Sequence, residues 1–449
     1  MKSILAHIVL LIHKILKKFG IERQTRTAFV KYFFNTGWMF AERMLFLIVA
    51  FFVGIYVARY LGPAKFGLLN YSLSFAFLFQ AFSKLGLDGI ITRNLIQNPE
   101  KKREILGSST VLKAIGAIFS FILIFASIQF SSSNYETKIM IMVIATGMLF
   151  NSFEVGRFFF ESQVKAKYNA MAVSASILTS SGLKVFLIIV GADLVWFAVA
   201  YSIEIIVRGL GFALFYQFIN KDIFKWTFDK NISKLLIKDA WPLMLSSVAV
   251  MLYMRIDQVM IKEMLGADDV GQYSAAIKIS EIWFFIPIVI NNSVFPAIIN
   301  AKAKGERFYY KRLQQLLSFL IWMAILIALP IYFVSPFIIT SLFGAEYFLA
   351  ASVLSIHIWS GVFIFMNNTA GKWHITENLT KLSLIKTASG ALINITLNII
   401  LIPKYEIIGA AWATLITYSY VGYFSNLLFK QTRKLIKIQT RAIFLKNIF

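Results

Sequence analysis

Twelve runs of apolar residues, each bounded by charge, Gly or Pro, divide the 449-residue chain. They fall near 36–60, 66–86, 106–129, 138–162, 168–190, 192–218, 239–264, 271–297, 313–334, 349–370, 382–402 and 407–429. About 20 apolar residues in an α-helix cross a hydrocarbon layer of about 30 Å, so most of these runs are long enough to span. In lipid, every backbone N–H and C=O needs an internal partner, which helices supply. The pattern predicts an all-α polytopic membrane protein with about twelve transmembrane helices. The opening MKSILAHIVLLIHKILKKFG differs in kind. Its cations His13, Lys14, Lys17 and Lys18 recur through the apolar run and no small-x-small cleavage site follows. It reads as an amphipathic helix on the membrane surface and not as a signal peptide.

Composition agrees: 58% of residues are hydrophobic and 15% charged, against about 25% charged in soluble domains. The formal net charge of +23, from 45 Lys and Arg against 22 acids, would suggest a polyanionic partner in a soluble chain. Its placement says otherwise. The N-terminus, the loops near 93–103, 163–167, 221–238, 302–312 and 372–381, and the C-terminal tail hold 31 of the cations. The alternate loops hold Lys65, Lys138, Lys262 and Lys404. By the positive-inside rule the basic set is cytoplasmic, as are both termini, and no nucleic-acid partner is expected. The chain has no cysteine, and His7, His13, His357 and His374 are scattered. Thiolate chemistry is excluded, and no metal, cofactor or catalytic residue is expected.

The longest basic loop divides the chain into halves. Leu61-Gly62 followed by Gly67 matches Leu265-Gly266 followed by Gly271, the same spacing 204 residues on and at the same turn of each half. The expected organisation is a cytoplasmic amphipathic segment at 1–35, a six-helix bundle at 36–218, a linker at 219–238, a second bundle at 239–429 and a basic tail at 430–449. Two pseudo-symmetric six-helix bundles of the same orientation would face each other across a central cavity, a transporter architecture.

Charges at bilayer depth cost roughly 2.5–3.5 kcal/mol each on insertion scales, so those retained face a cavity or a partner. Glu154 with Arg157, Glu204 with Arg208, Lys84 with Asp88, and Lys278 with Glu281 stand three or four residues apart and read as self-neutralising pairs. Lys113, Arg59 and Lys386 lie nearer helix ends, where snorkelling suffices. Arg43 beside Glu42, Arg255 two residues before Asp257, and Lys184 lack an acid at helical spacing. The cavity candidates are therefore Arg43, Lys184, Arg255 and Lys278, with Asp257 and Glu42 as charge partners or ion-coupling groups. A cationic interior selects an anion, and the planar fork of Arg suits phosphate oxygens. In helix eight, Pro287 and Pro296 bracket Asn291 and Asn292, either a gating kink or a static one filled by the Asn side chains. Phe158, Phe159 and Phe160 read as packing residues.

The segments ARYLGPAKFGLLNYSLSF at 58–75, AWPLMLSSVAVMLYMRIDQVMIKEMLGADDVGQYSAAIKISE at 240–281 and FPAIINAK at 295–302 resemble bacterial O-antigen and polysaccharide-repeat-unit flippases. Their superfamily also contains lipid II flippases and multidrug and toxic compound extrusion transporters. The resemblance covers essentially the whole chain. It implies a V-shaped two-bundle fold in the inner membrane, moving undecaprenyl-diphosphate-linked oligosaccharide between leaflets for polysaccharide or lipopolysaccharide biosynthesis. It also implies that Arg255 helps hold the diphosphate, and that a polysaccharide polymerase and chain-length proteins are candidate partners. Lipid II flippases usually carry two further helices that this chain lacks. Two rivals stand beside this reading. A drug/cation antiporter of the same fold calls for an acidic cavity. A membrane-embedded polymerase or glycosyltransferase calls for a long outer catalytic loop, and the longest outer loop, near 335–348, carries no Lys or Arg.

Overall fold

The run of apolar segments becomes a run of long helices. The computed structural model describes residues 23–445, so the surface helix expected over the first twenty residues lies outside the described part. The helices are α1 (Arg23–Leu78), α2 (Lys102–Ile128), α3 (Tyr135–Met148), α4 (Val155–Ser162), α5 (Ala166–Ile189), α6 (Leu194–Asn220) and α7 (Lys230–Met264). They continue with α8 (Ala267–Glu281), α9 (Phe285–Ala301), α10 (Glu306–Phe343), α11 (Ala350–His357), α12 (Ser360–Thr376), α13 (Thr380–Gly422) and α14 (Arg433–Ile443). Short helices Gln80–Lys84 and Asp88–Gln97 link α1 to α2. No strand occurs among the described residues.

Among the described residues, ten helices are long and apolar enough to cross a membrane. Two of them are too long for one crossing: the 49 residues of Val30–Leu78 would reach about 74 Å. Helix α1 breaks at Gly62 (φ 69°), and α13 breaks at Glu406 (φ 51°), where Gly409 packs against the Leu401 carbonyl. The chain therefore makes twelve crossings, six in each half, as the hydropathy pattern predicts. Crossing four is α3 and α4 joined through a 3-10 turn, crossing eight is α8 and α9, and crossing ten is α11 and α12.

The boundaries differ from expectation in two places. The outer loop expected near 335–348 is helical to Phe343, with Pro330 and Pro336 inside α10. Pro336 has no N–H to give the Tyr332 carbonyl one turn back, and Ser335 Oγ donates to that carbonyl at 3.2 Å. The linker expected at 219–238 is shorter, because Asp229 caps α7 by accepting from the backbone N–H groups of Asn231 and Ile232.

What remains of that linker is fastened to the first half. Asp222 accepts from Lys102 Nζ at 2.8 Å and from Tyr216 Oη at 2.7 Å, with Arg103 at 3.8 Å. Ser108 Oγ donates to the Asp229 carbonyl, and Gly107 leaves room for the Thr227 backbone. Burial alone would raise the Asp222 pKa. The hydrogen bonds from Lys102 and Tyr216 and the charges of Lys102 and Arg103 outweigh it, holding the carboxyl below its usual value.

At the end away from the basic loops the halves are locked together, and the repeated glycines do the locking. A Cβ on Gly67 would lie 1.8 Å from the Ala267 carbonyl oxygen, and one on Gly271 would lie 2.0 Å from that of Pro63. Positions 63 and 267 are themselves 204 residues apart, so each half presents the same two positions to the other. Small residues allow this backbone approach within a membrane. Polar contacts surround it. Glu263 accepts from Tyr71, Ser131 and Ser132 of the first half. Arg59 donates to the carbonyls of Ser341 and Leu342, and Tyr347 Oη donates to that of Ala58 at 2.7 Å.

At the basic end the halves touch along crossing seven, where Leu236 and Ala240 share a core with Leu87 and Ile90 and Asp239 pairs with Arg93. No residue from 30 to 53 is buried, whereas most from 54 to 76 are, and the basic half of crossing one touches α5 at Asn35, which accepts from the Ala166 backbone N–H at 2.7 Å. Helix α9, the basic half of crossing eight, is mostly exposed or half-buried.

Two outcomes follow. Replacing Gly271 by Val should force the outer turns apart, so that a single cysteine placed at Ser132 in this cysteine-free chain reacts faster with a membrane-impermeant maleimide. Unchanged labelling would mean the glycine contact does not hold the seal. The folded-state pKa of Asp222 lies below its unfolded value of about 3.9, so its stabilisation is present at neutral pH and disappears as pH falls through the folded pKa. Thermal unfolding in detergent from about pH 7 down to about pH 3 should show Asp222→Asn destabilised at neutral pH, with a flatter loss of stability below about pH 4.

Candidate functional site

A cavity of about 560 Å³ opens beside the exposed part of crossing one. Crossing one contributes Asn35, Met39, Glu42, Arg43 and Phe46; the rest of the wall comes from Gln80, Lys84 and crossings four, five and six. Its charged lining consists of Arg43, Lys84, Arg157 and Arg208 against Glu42, Glu154 and Glu161, four cations and three carboxylates. The polar interior is positive by one charge.

Helical spacing alone assigns these charges to the wrong partners. Arg157 pairs with Glu161 at 2.7 Å and not with Glu154. Glu154 receives Lys113 at 3.4 Å from crossing three and Arg208 at 3.8 Å from crossing six. Asp88 accepts from Lys113 at 3.2 Å in place of Lys84. Glu204 turns to Lys184 at 3.5 Å, and Glu281 to Arg255 at 3.9 Å. None of the four expected intrahelical pairs forms. At one bilayer depth several helices bring charges together, and a carboxylate takes the cations that best desolvate with it. Lys113 does not snorkel: it is fully buried between Asp88 and Glu154, its ammonium 4.8 Å from the Phe158 ring. Arg59 bonds across the two halves, as described above. Lys386 is also buried. Phe158, Phe159 and Phe160 are core residues, as expected.

The candidate binding cations separate into three groups. Arg43 is exposed to the cavity, 5.9 Å from the Phe46 ring, with Glu42 beside it on the wall. Deeper, a small void of about 70 Å³ shares the Phe46 wall and includes Gly54, Lys184, Tyr201 and Glu204. Lys184 Nζ lies 3.4 Å from the Tyr201 ring centre. Lys278 reaches the same level from the second half. A Cβ on Gly54 would lie 1.8 Å from its Nζ, the movable end of a flexible side chain, so the ammonium rests against crossing one at that glycine. Lys278 makes no ion pair among the described residues, and its ammonium stands 5.7 Å from the Phe66 ring. Arg255 and Asp257 line neither cavity.

Asp257 is buried in the second half and held by neutral groups. Tyr273 Oη donates to it at 2.9 Å, Asn398 Nδ2 at 2.6 Å, and Thr414 Oγ1 donates at short range. Asn398 also donates to Asn394 at 3.3 Å. The site joins crossings seven, eight, eleven and twelve, and no cation pairs with Asp257 among the described residues. Asn394 and Asn398, one helical turn apart, escape the sequence reading because neutral amides at bilayer depth carry no charge signal. In crossing eight, Asn291 Nδ2 donates to the Pro287 carbonyl at 2.7 Å and Asn291 Oδ1 accepts from Thr369 at 3.1 Å. The Asn291 side chain thus ties Pro287 of crossing eight to Thr369 of crossing ten.

Comparison with known proteins places this geometry. The family model described as polysaccharide biosynthesis protein matches residues 33–302, and the MatE model matches residues 242–400. A probable low-salt glycan biosynthesis flippase, Agl15 of Haloferax volcanii, is 25% identical over 178 residues. That match spans 39% of this chain and 37% of the relative, little more than a third of its length. Among solved structures, the lipid II flippase MurJ in an inward closed conformation superposes with a TM-score of 0.69 at 18% identity, covering 92% of this chain and 91% of MurJ. An inward-facing multidrug resistance MATE family transporter of the MOP superfamily gives 0.70 at 16% identity, covering 89% and 96%. At these identities the structures share the fold.

Removing the Lys113 ammonium leaves Glu154 and Asp88 short of a partner in a buried site. Lys113→Met should therefore cost about 3 kcal/mol, the lower end of the range for broken buried pairs, since Arg208 still reaches Glu154. Thermal unfolding in detergent reads this directly; a change within about 0.5 kcal/mol would make Lys113 a spectator.

Proposed function

Because the chain belongs to the polysaccharide biosynthesis protein family, we propose that it flips an undecaprenyl-diphosphate-linked oligosaccharide, an O-antigen or related repeat unit, from the cytoplasmic to the periplasmic leaflet. The observation that carries this reading is the coexistence of a sealed outer end with a charged cavity at the basic end. That is the arrangement of an alternating-access carrier waiting for cargo from the inside. In this reading the basic loops and both termini are cytoplasmic, and the membrane is the bacterial inner membrane.

The diphosphate enters beside the exposed basic half of crossing one and meets Arg43, whose planar fork suits phosphate oxygens. Lys184 and Lys278, at the next level, attract it from opposite halves. Its charge competes with Glu204 for Lys184 and draws Lys278, so binding loosens the contact with Gly54 where the halves meet. Arg255, lightly held by Glu281, receives the anion from the second half as that half rocks. The sugars follow the diphosphate into the cavity while the lipid tail stays in the bilayer. With the cell interior negative, moving two negative charges outward is favoured by roughly 4–5 kcal/mol per 100 mV. Asp257 couples an inward cation or proton in the opposite sense, since its hydroxyl and amide partners supply oxygens without a competing cation. Glu42, on the cavity wall, is a charge partner for the arriving cations.

A drug/cation antiporter of the same fold is the second reading, favoured by the three carboxylates in the cavity wall. Deleting the gene in its native host separates the two. Accumulation of lipid-linked repeat units on the cytoplasmic face supports the flippase; loss of drug resistance with normal polysaccharide supports the antiporter.

Arg255→Ala and Lys278→Ala, with expression and folding verified, should each reduce surface polysaccharide at least tenfold. Wild-type polysaccharide from Arg255→Ala would remove that residue from the mechanism.

A further inference from the structure

Two furrows on the flank of the second half meet at one polar point. The first, about 630 Å³, runs between α9 and α10, its apolar walls formed by Ile290, Val294, Ala297 and Ile298 on one side and Leu316 and Phe319 on the other. The second, about 540 Å³, continues along α10 past Phe319, Trp322, Met323 and Leu326 to Leu445. They share Gln315 and Phe319. Positions 312, 315, 319, 322 and 326 follow steps of three and four, so they share one face of α10. The face is polar toward the basic loops and apolar toward the membrane interior.

Two cations crown the fork. Lys304 Nζ and the Arg312 guanidinium lie 5.8 Å and 5.1 Å from the centre of a single ring, that of Phe308. Arg312 also donates to Gln315 Oε1 at 3.2 Å, which orients it over the junction. Among the described residues, no acidic one lines either furrow. The nearby Glu306 is taken by Lys434 at 2.9 Å. Two like charges gathered without a carboxylate call for an anion, and basic pockets between membrane helices hold anionic lipid headgroups.

We infer that this fork is a binding site for a two-chained acidic phospholipid, with the phosphodiester between Lys304 and Arg312 and one acyl chain in each furrow. The branching separates this ligand from a polyprenyl phosphate, whose single chain would leave one furrow empty. The site lies outside the cavity charges considered for translocation. The inference therefore does not rest on the flippase reading, and its test reads lipid retention, not transport.

The full chain, purified in mild detergent and delipidated, is offered phosphatidylglycerol, phosphatidylethanolamine or undecaprenyl phosphate, and bound lipid is counted by native mass spectrometry. The expected result is one phosphatidylglycerol per protein, retained at least tenfold better than phosphatidylethanolamine. The double variant Lys304→Gln/Arg312→Gln should lose that preference, and Lys304→Arg/Arg312→Lys should keep it. Ala297→Phe, which fills the first furrow without touching the cations, should weaken retention of the two-chained lipid. Equal retention of the zwitterionic lipid, an unaltered preference in the charge-removed variant, or stronger retention of undecaprenyl phosphate would each overturn the proposal.

Discussion

An ionisable side chain at bilayer depth has no water to retreat to, and the first half of this protein is organised around that constraint. Lys113 reaches Asp88 and Glu154, Glu154 also receives Arg208, and Arg157 returns to Glu161. These contacts draw together α2, α4, α6 and the short helix that begins at Asp88. Attraction in a poorly screened interior offsets part of the desolvation cost only when geometry is good, so each charge constrains the helices that carry its partners. The cavity is the space beside this network, and its polar wall is the network's open side.

The second half meets the same constraint differently. Its deepest carboxylate, Asp257, is surrounded by hydroxyl and amide donors, so four crossings converge on one charge without an opposing one. The first half's buried carboxylate, Glu154, is instead held by Lys113 and Arg208.

The twelve crossings, the charge asymmetry and the duplicated turn were legible in the sequence because each depends on properties that survive projection onto one dimension. Hydropathy, loop charge and a glycine pair are local. The pairing of intramembrane charges was not legible. Arg157 has Glu154 three residues before it and Glu161 four residues after it, and only the helix rotation and the arrival of Lys113 decide between them. Gly54 carries no mark of its contact, because the ammonium that rests against it belongs to a residue 224 positions away. Of the cavity candidates, Arg43 stands on the wall and Lys184 and Lys278 converge around Gly54, whereas Arg255 and Asp257 belong to the second half's own polar cluster. The length of α10 departs from the hydropathy pattern for a different reason: Pro330 and Pro336 signal a helix end in water, while the Ser335 hydroxyl on the Tyr332 carbonyl that Pro336 frees lets the helix continue.

The closure at Gly67 and Gly271 has the form of contact found in a two-fold dimer, where a surface meets its own copy and each pairing occurs twice. Two separate six-helix chains meeting there would be identical, and one substitution would strike both sides of the seal at once. Joined in a single chain, the two sides can change independently while the seal persists. The first half's charge network around Glu154 and the second half's neutral cradle around Asp257 are differences that the joined form permits.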